Sequence, residues 1–148
     1  MPVAFCPISF LDPVKLQLSH PMGTLFRRYH TGVRTVPRRW LHRLLMPPRG
    51  TSVLAVCGRE VIGLGQLIPF ANGGAEVSLL VEDDWQRQGI GAALLARLAL
   101  LAEADGITEL TADCLPGDDL MVRTAARAGL RAENATEDGA KLRLFLPA

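Results

Sequence analysis

The chain has 148 residues, of which 49% are hydrophobic and 21% are charged, and its formal net charge is +1. This length suits one core, so we expect a single domain over residues 1–148. The composition excludes a disordered chain, and the small net charge provides no overall attraction to nucleic acid or to a membrane surface. No apolar run reaches the length of a membrane span and the N-terminus lacks the pattern of a signal peptide, so we expect a cytoplasmic protein without a membrane partner.

Basic residues are concentrated in the first third of the chain. From Pro13 to Arg59 there is no Asp or Glu, whereas nine residues are Lys or Arg. This basic segment either attracts an anionic partner or forms solvated helix faces that the acidic second half balances. The three cysteines and three histidines have neither the spacing of a disulfide framework nor that of a metal site, so no metal is expected.

The N-terminal residues predict a short strand followed by two helices. Prolines at positions 2, 7 and 13 confine a strand at Val3–Cys6 or Ile8–Leu11 to a sheet edge or an irregular arm. One helix is expected within about Val14–Tyr29. The second begins at Pro37, a favoured helix-opening residue, and ends before Pro47.

Three β-rich runs follow, and they predict antiparallel strands over Thr51–Val56, Glu60–Pro69 and Ala75–Val81. A short connection with glycine joins the first two as a hairpin, and a turn over Ala71–Gly74 leads to the third. Gly63 and Gly65, inside the second run, indicate a bulge or a place where another part of the chain packs closely.

The second half predicts helices that alternate with strands. The expected elements are a helix over Ala92–Ala104, a strand over Thr108–Cys114, a helix from Asp118 to Ala128, a turn over Asn134–Gly139 and a final strand over Ala140–Leu146. Gly106 and Gly129 are placed to end the two helices, and Asp118 is placed to cap the start of the second. The order of elements predicts a mixed α/β domain.

A glycine-containing loop, Gln86-Arg87-Gln88-Gly89-Ile90-Gly91-Ala92, joins the third β-rich run to the next helix. Such a loop directs several backbone N–H groups toward one point, and the helix N-terminus adds partial positive charge. The pattern therefore predicts a phosphate-binding turn. It fits neither nucleotide fingerprint, because Leu94 stands where a Rossmann loop has its third small residue and no Walker Gly-Lys-Ser/Thr occurs. The alternative is a plain turn that binds no ligand.

The loop resembles the acyl-CoA pyrophosphate loop of the GNAT N-acetyltransferase superfamily, whose pattern is Gln/Arg-x-x-Gly-x-Gly/Ala. Asp118-Asp119-Leu120-Met121, followed by Ala128-Gly129-Leu130, is similar to the family's Asn-x-x-Met helix that ends in Gly-Phe. The resemblance covers most of the chain and implies the family's fold, a central, mostly antiparallel sheet flanked by helices. The chain departs from the pattern at three positions: Asp118 replaces Asn, Leu130 replaces Phe, and Ala125 stands where the family often has Tyr.

The resemblance implies acetyl-CoA as the co-substrate and assigns a place for each of its parts. Backbone groups of Leu79, Leu80 and Val81 are expected to hold the pantetheine arm. The pyrophosphate is expected at the loop formed by Gln86, Arg87, Gln88, Gly89, Ile90, Gly91 and Ala92. Arg87 either adds charge there or is an ordinary surface arginine, and the side chains of Glu82–Asp84 are expected to point away from the cofactor.

Glu76 is the candidate general base. It is the only acid in an otherwise apolar strand, directly upstream of the expected pantetheine segment, where partial desolvation would raise its pKa. Its surroundings are similar to those of GNAT members that use a glutamate at this position. The alternative is a polar residue on the exposed side of a half-buried strand. No general acid is evident, because the Tyr position is Ala125 and the only tyrosine is Tyr29.

These features together predict an acetyl-CoA-dependent N-acetyltransferase that transfers acetyl directly to a primary amine of a small molecule or a protein. A second hypothesis is a GNAT-like module that binds acyl-CoA without turnover and acts as a sensor. A third is nucleic-acid association through the basic segment, which the scarcity of aromatic residues there disfavours. The basic segment favours an anionic or acidic-flanked acceptor, and a homodimer is compatible with the sequence.

Overall fold

The computed structural model describes residues 3–7, 50–57, 60–114 and 119–146. Within these ranges the chain forms one seven-stranded sheet: β1 (Val3–Pro7), β2 (Thr51–Cys57), β3 (Glu60–Pro69), β4 (Gly74–Val81), β5 (Glu109–Asp113), β6 (Arg131–Asn134) and β7 (Lys141–Phe145). The strand order is β1-β2-β3-β4-β5-β7-β6. All neighbouring strands are antiparallel except β4 and β5, so the expected mixed α/β fold with a mostly antiparallel sheet is confirmed.

Two described helices accompany the sheet. Helix α1 (Ile90–Ala104) begins two residues earlier than the sequence predicts, and helix α2 is Leu120–Arg127. Helix α1 packs on β2, β3 and β4, and its Leu94 and Leu98 are fully buried there. Burial of each such leucine contributes about 2 kcal/mol. Helix α2 packs against α1 and β6, and no described helix is long and apolar enough to cross a membrane.

Both helices end at the predicted glycines. Gly106 and Gly129 have φ angles of 72° and 82°, in the left-handed region that favours glycine. After each glycine the next N–H bonds back to the last helical turn, as between Ile107 N and Ala102 O at 2.9 Å. This hydrogen-bond pattern satisfies carbonyl groups that the helix end would otherwise leave open.

The two glycines inside β3 mark a close approach of helix and sheet. A Cβ atom on Gly63 would lie 3.0 Å from Leu94 Cδ1, and one on Gly65 would lie 3.1 Å from Leu98 Cδ1. The pairing of β2 with β3 also shifts beside Gly63. The expectation of a bulge or close packing is therefore confirmed in both of its forms.

Strand β6 is the element that the sequence analysis missed. Three of its four residues are exposed, and among the described strands it pairs only with β7, at the edge of the sheet. A short, solvated edge strand has no apolar run, so the hydrophobic periodicity that reveals buried strands is absent there. The predicted final strand is confirmed as β7, one residue shorter at each end.

Several predictions concern residues outside the described ranges. They are the possible strand at Ile8–Leu11, both helices before Pro47, most of the basic segment, and the N-cap at Asp118. Helix α2 instead begins after Asp119, whose side chain makes no capping hydrogen bond. The Asp119 carboxylate pairs with Arg123 one turn along the helix, at 3.3 Å.

The parallel strands β4 and β5 are paired over only part of their length. Gly74–Glu76 pairs with Glu109–Thr111, and no further pair of described residues joins the two strands. Strand β3 continues to pair with β4 up to Val81. Strand β4 therefore stays in the sheet while β5 diverges from it, which opens a gap at the carboxyl ends of both strands.

Candidate functional site

A cleft of about 990 Å³ occupies this gap. Its walls are Leu79–Val81 of β4, Asp113 and Cys114 at the end of β5, the loop before α1, the first turn of α1, and one side of α2. The volume is that of a site for a small molecule or cofactor. The structure thus brings together the predicted pantetheine segment and most of the glycine loop.

Local hydrogen bonds fix the chain between β4 and the glycine loop. A short 3₁₀ turn, Asp83–Trp85, follows β4. The side-chain amide of Gln86 then donates to the Val81 carbonyl at 3.2 Å and to the Asp83 carboxylate at 3.3 Å. Gln86 therefore braces the turn from within, and Asp83 lines the cleft. Asp83 and Asp84 are exposed, and the expectation that the three acidic side chains after β4 point away from the cofactor stays a prediction.

Two residues of the glycine loop adopt positive φ angles. Gly89 has a φ of 83°, and Arg87 has a φ of 64°, which costs about 1 kcal/mol for a residue with a Cβ atom. The amide of Gln88, between them, donates to the Asp84 carbonyl at 3.3 Å. A costly backbone conformation held in this way is typical of functional loops.

The first turn of α1 directs open N–H groups toward the cleft. An α-helix leaves its first N–H groups without intrahelical partners. Here the first backbone bond is from Ala93 N to Gly89 O, at 3.0 Å. The N–H groups of Ile90, Gly91 and Ala92 consequently have no backbone acceptor among the described residues. Such a helix start attracts anions, phosphate groups in particular.

Gly91 adds no side-chain atom to this first turn. A Cβ atom at Gly91 would lie 3.7 Å from Thr124 Cγ2 and 3.8 Å from Val81 Cγ2, which are ordinary contacts. Packing therefore does not require glycine at this position. The missing side chain instead leaves the N–H groups accessible from the cleft.

Strand β4 also directs backbone groups into the gap. Glu82 N–H donates to Ile62 O at 2.8 Å. Along an antiparallel strand, the backbone N–H and C=O groups of successive residues point alternately toward one neighbouring strand and toward the opposite side. In this register Leu80 bonds to β3, whereas Leu79 and Val81 direct their N–H and C=O groups toward the side where β5 has diverged. Of these groups, the Val81 carbonyl already accepts a hydrogen bond from the Gln86 side-chain amide at 3.2 Å. Both backbone groups of Leu79 and the Val81 N–H are therefore what this strand edge offers to a ligand.

Charged side chains of both signs line the cleft. Arg87 from the loop and Arg123 and Arg127 from α2 line it, together with the carboxylates Asp83 and Asp113. Arg123 is already paired with Asp119, so Arg87 and Arg127 are the guanidinium groups that an anionic ligand would meet in the described part of the cleft.

Glu76 lies half-buried at the last β4 position that pairs with β5. Its pKa is raised, first by burial and then by the charge of Asp113 and a hydrogen bond to it, while Lys141 acts in the opposite direction. Lys141 Nζ lies 3.6 Å from Asp113 Oδ1. Glu76 does not itself line the cleft, whereas Asp113 does.

Asp113 is the residue that sequence reasoning missed. Within β5 it lies two positions after Thr111, the parallel partner of Glu76, so strand alternation places it on the Glu76 face. Strand alternation could have identified Asp113 only if the pairing of β4 with β5 had been known.

Cys114 is half-buried in the cleft wall, and its Sγ donates to Gly139 O at 2.9 Å. Across the part of the chain that the structure describes, no group of three or more His, Cys, Asp or Glu side chains is arranged to hold a metal ion.

Comparison with protein families decides the classification. A model of the Acetyltransferase (GNAT) family matches residues 19–130 of the chain. The chain belongs to the GNAT acetyltransferase family. The resemblance seen in the sequence is thereby confirmed, and no curated protein matches the chain.

Solved GNAT structures share the fold of this chain. The GNAT domain of PAT from S. lividans is 22% identical, with a TM-score of 0.61 over 96% of this chain and 87% of that one. A variant of the cAMP-binding acyltransferase from Mycobacterium smegmatis is 21% identical, with a TM-score of 0.62, over 99% of this chain and 45% of that one. This chain thus spans less than half of the M. smegmatis protein. The PaiA N-acetyltransferase from Thermoplasma acidophilum, solved in complex with coenzyme A, is 14% identical, with a TM-score of 0.62, over 99% of this chain and 100% of that one.

This GNAT chain differs from its family pattern inside α2. Ala125, at the usual tyrosine position, is fully buried, so no hydroxyl reaches the cleft from there. The neighbouring Thr124 lines the cleft, but its hydroxyl donates to Leu120 O at 2.8 Å. Leu130 is buried and fills the core in place of the usual Phe.

Proposed function

We propose that this GNAT protein is an acetyl-CoA-dependent N-acetyltransferase that acetylates a primary amine directly. The observation that carries the proposal is the divergence of β5 from β4, which leaves a cleft beside the open first turn of α1. An elongated thioester with an anionic pyrophosphate matches both the polar strand edge and the helix N-terminus.

Each part of acetyl-CoA has a complementary surface in this proposal. The pantetheine arm lies along Leu79–Val81 and takes the place that a longer β5 would occupy. The pyrophosphate binds the N–H groups of the loop and first turn, Gln88–Ala92. Gln86 holds the turn in shape, and Arg87 adds positive charge. No metal takes part in the proposal.

The chemistry requires a deprotonated amine close to the thioester. The carboxylate of Glu76 acts as the general base and accepts one proton from the acceptor ammonium. The nitrogen then attacks the carbonyl carbon, the C–N bond forms, and the C–S bond breaks. The second nitrogen proton passes to solvent, and the CoA thiolate takes up a proton from solvent. A general base of this kind accelerates transfer about 10²- to 10⁴-fold.

The alternative function, an acyl-CoA sensor without turnover, is favoured by one observation. The tyrosine position holds the buried Ala125, so the usual proton donor to the thiolate is missing. The raised pKa of Glu76 favours the enzyme, because a carboxylate with a raised pKa is a stronger base at neutral pH.

Calorimetric titration of the wild type with acetyl-CoA, beside a Gly91→Glu variant, tests the cofactor half of the proposal. Binding by the wild type that the variant loses supports it, and no binding by the folded wild type contradicts it. A panel of primary amines, assayed by CoA release with the wild type and Glu76→Gln, tests turnover. Binding without turnover on any amine would favour the sensor.

A further inference from the structure

We infer that Asp113 is the carboxylate that contacts the acceptor nitrogen in the cleft, with Glu76 behind it as its proton-sharing partner. This inference rests on the proposed acetyltransferase function and specifies the acceptor side of the same site. It changes the catalytic assignment, because the sequence points to Glu76 alone.

The first support is the position of the two carboxylates relative to the cleft. Asp113 ends β5 and lines the cleft, whereas Glu76 lies in the paired part of β4 and does not line it. The side chains of Glu76, Thr111 and Asp113 share one face of the sheet, because Glu76 pairs in parallel with Thr111. An amine that reaches the thioester through the cleft therefore meets Asp113 first.

The second support is the way Asp113 is held. It is the cross-strand partner of Lys141, whose Nζ lies 3.6 Å from its carboxylate. Its side chain is still 66% exposed, which leaves carboxylate lone pairs accessible to a second cation. Lys141 thus orients the Asp113 carboxylate and leaves part of that carboxylate accessible to an acceptor ammonium.

The third support is the set of groups that surround Glu76. On β3 its partner is the apolar Ile68. On β5 the nearby polar groups are Asp113 and Thr111, whose Oγ1 is buried without a hydrogen-bond partner among the described residues. The other charged groups of β5 and β7 on this face are Glu109 and Arg143, paired with each other at 2.8 Å, and Lys141.

Among the described residues, Asp113 on β5 therefore lies between Glu76 on β4 and Lys141 on β7. Burial, and then the charge of Asp113 and a hydrogen bond to it, raise the pKa of Glu76, so Glu76 can take up a proton beside Asp113. The acceptor ammonium gives one proton to the Asp113 carboxylate, and the pair holds it. The free nitrogen then attacks the thioester, the C–N bond forms and the C–S bond breaks. The nitrogen loses its second proton to solvent, and the thiolate is protonated from solvent. The acceptor is accordingly an amine that arrives positively charged.

The chain supplies a matched control for the test. Glu109 and Asp113 are on the same strand and the same face, and each is paired with a basic residue of β7. Glu109, however, does not line the cleft. Each carboxylate can be replaced by its amide. The replacement of Asp113 makes this change inside the cleft, and the replacement of Glu109 makes it outside.

The kinetic test uses Asp113→Asn, Glu76→Gln and Glu109→Gln with acetyl-CoA and the best amine of the panel. We expect Asp113→Asn to reduce kcat/KM for the amine at least 100-fold with its Kd for acetyl-CoA within threefold of wild type. Glu109→Gln is expected to stay within threefold in both quantities. An Asp113→Asn variant with wild-type kcat/KM, beside an inactive Glu76→Gln, would overturn the inference and leave the proposed function intact. Failure of the wild type to bind acetyl-CoA would instead overturn the proposed function.

A second measurement does not depend on turnover. Carboxyl-detected NMR titration of the CoA-bound protein reports the pKa of Glu76, which we expect to fall in Asp113→Asn because a neighbouring negative charge is removed, and to stay unchanged in Glu109→Gln. In the same wild-type sample, n-butylammonium chloride is expected to shift the Asp113 carboxyl resonance more than that of Glu109. Equal shifts, or an unchanged Glu76 pKa in Asp113→Asn, would refute the role of Asp113.

Discussion

The chain contains the spacing Gly-x-Gly in two places, and the two places differ in physical origin. In β3, Gly63 and Gly65 lie under α1, where a Cβ atom would approach leucine side chains to 3.0–3.1 Å. In the loop before α1, Gly89 has no atom within 4 Å of such a Cβ but has a φ of 83°, and Gly91 has room and ordinary contacts. The first pair is required by packing, and the second by backbone shape and an open cleft.

The two Gly-x-Gly sites therefore differ in what a substitution changes: stability at the first site and ligand binding at the second. A side chain at Gly63 or Gly65 must displace packed core atoms, so its cost falls on folding. A side chain at Gly91 displaces no protein atom and projects into space that a ligand would fill. A substitution in β3 is therefore expected to lower stability, and a substitution at Gly91 is expected to lower ligand affinity while stability stays close to that of the wild type.

The largest expected effect is on ligand affinity, in Gly91→Glu. An acidic residue in the first turn of a helix favours the helix dipole, so the free energy of unfolding should change by less than about 0.5 kcal/mol. The carboxylate occupies the proposed phosphate position and repels it, so affinity for acetyl-CoA should fall at least 100-fold, or about 3 kcal/mol. Calorimetry and thermal unfolding measure the two quantities. Gly91→Gln, which adds the same volume without charge, separates repulsion from obstruction.

The next effect is on stability, in Gly63→Val. The isopropyl group inserted beneath Leu94 adds three carbon atoms and should destabilise the fold by about 2–3 kcal/mol. Chemical denaturation measures this, with Gly91→Val as the same substitution at the second motif. Comparable destabilisation by the two variants would show that the motifs do not differ in the way the contacts indicate.

A smaller effect is expected in Gly89→Ala. Alanine at positive φ costs about 1–2 kcal/mol, and the same cost applies at Gly106, where φ is 72° and space is also open. Both variants should lose similar stability in denaturation. Only Gly89→Ala should also weaken acetyl-CoA binding, and equal weakening in Gly106→Ala would contradict a local role for the loop.

The smallest effect is expected in Gly91→Ala. One methyl group in ordinary contact with Thr124 and Val81 should change the free energy of unfolding by less than about 0.5 kcal/mol, in the stabilising direction, because alanine is the better helix former. Acetyl-CoA affinity should change less than threefold by calorimetry. A strong loss of either property would mean that the ligand, or the fold, needs closer approach than the contacts suggest.

Stability should also depend on pH through Glu76. Its pKa is higher in the folded than in the unfolded chain, so the folded state binds more protons and the carboxylate destabilises the fold as pH rises through the raised value. Glu76→Gln should therefore be more stable than wild type above that pKa. The difference should vanish below the unfolded value near 4.5. Denaturation at several pH values measures it, and a pH-independent difference would show that the carboxyl charge is not the cause.

Local patterns were sufficient for much of the fold. The strand runs, the glycine caps at Gly106 and Gly129, and the loop from Gln86 to Ala92 each depend on a few consecutive residues. The edge strand β6 was beyond that reasoning, because solvated residues such as Arg131 and Glu133 carry no hydrophobic period.

The site was predicted only where it is local in sequence. The loop and Leu79–Val81 are consecutive, so their proximity follows from chain connectivity. Asp113 is distant in sequence from Glu76, and only the parallel pairing of β4 with β5 brings them together. The divergence of those strands, which creates the cleft, likewise depends on tertiary packing that no short pattern encodes.

The short pairing of β4 with β5 also divides the sheet mechanically. Strands β1–β4 form one half and β5–β7 the other, and among the described residues only the three pairs from Gly74 to Glu76 join the halves directly. Force applied across this seam should part it before it breaks the longer antiparallel ladders. A ligand bound along the seam would contact both halves and hold them together. In pulling experiments, the liganded protein should therefore show a higher rupture force at this seam than the unliganded protein.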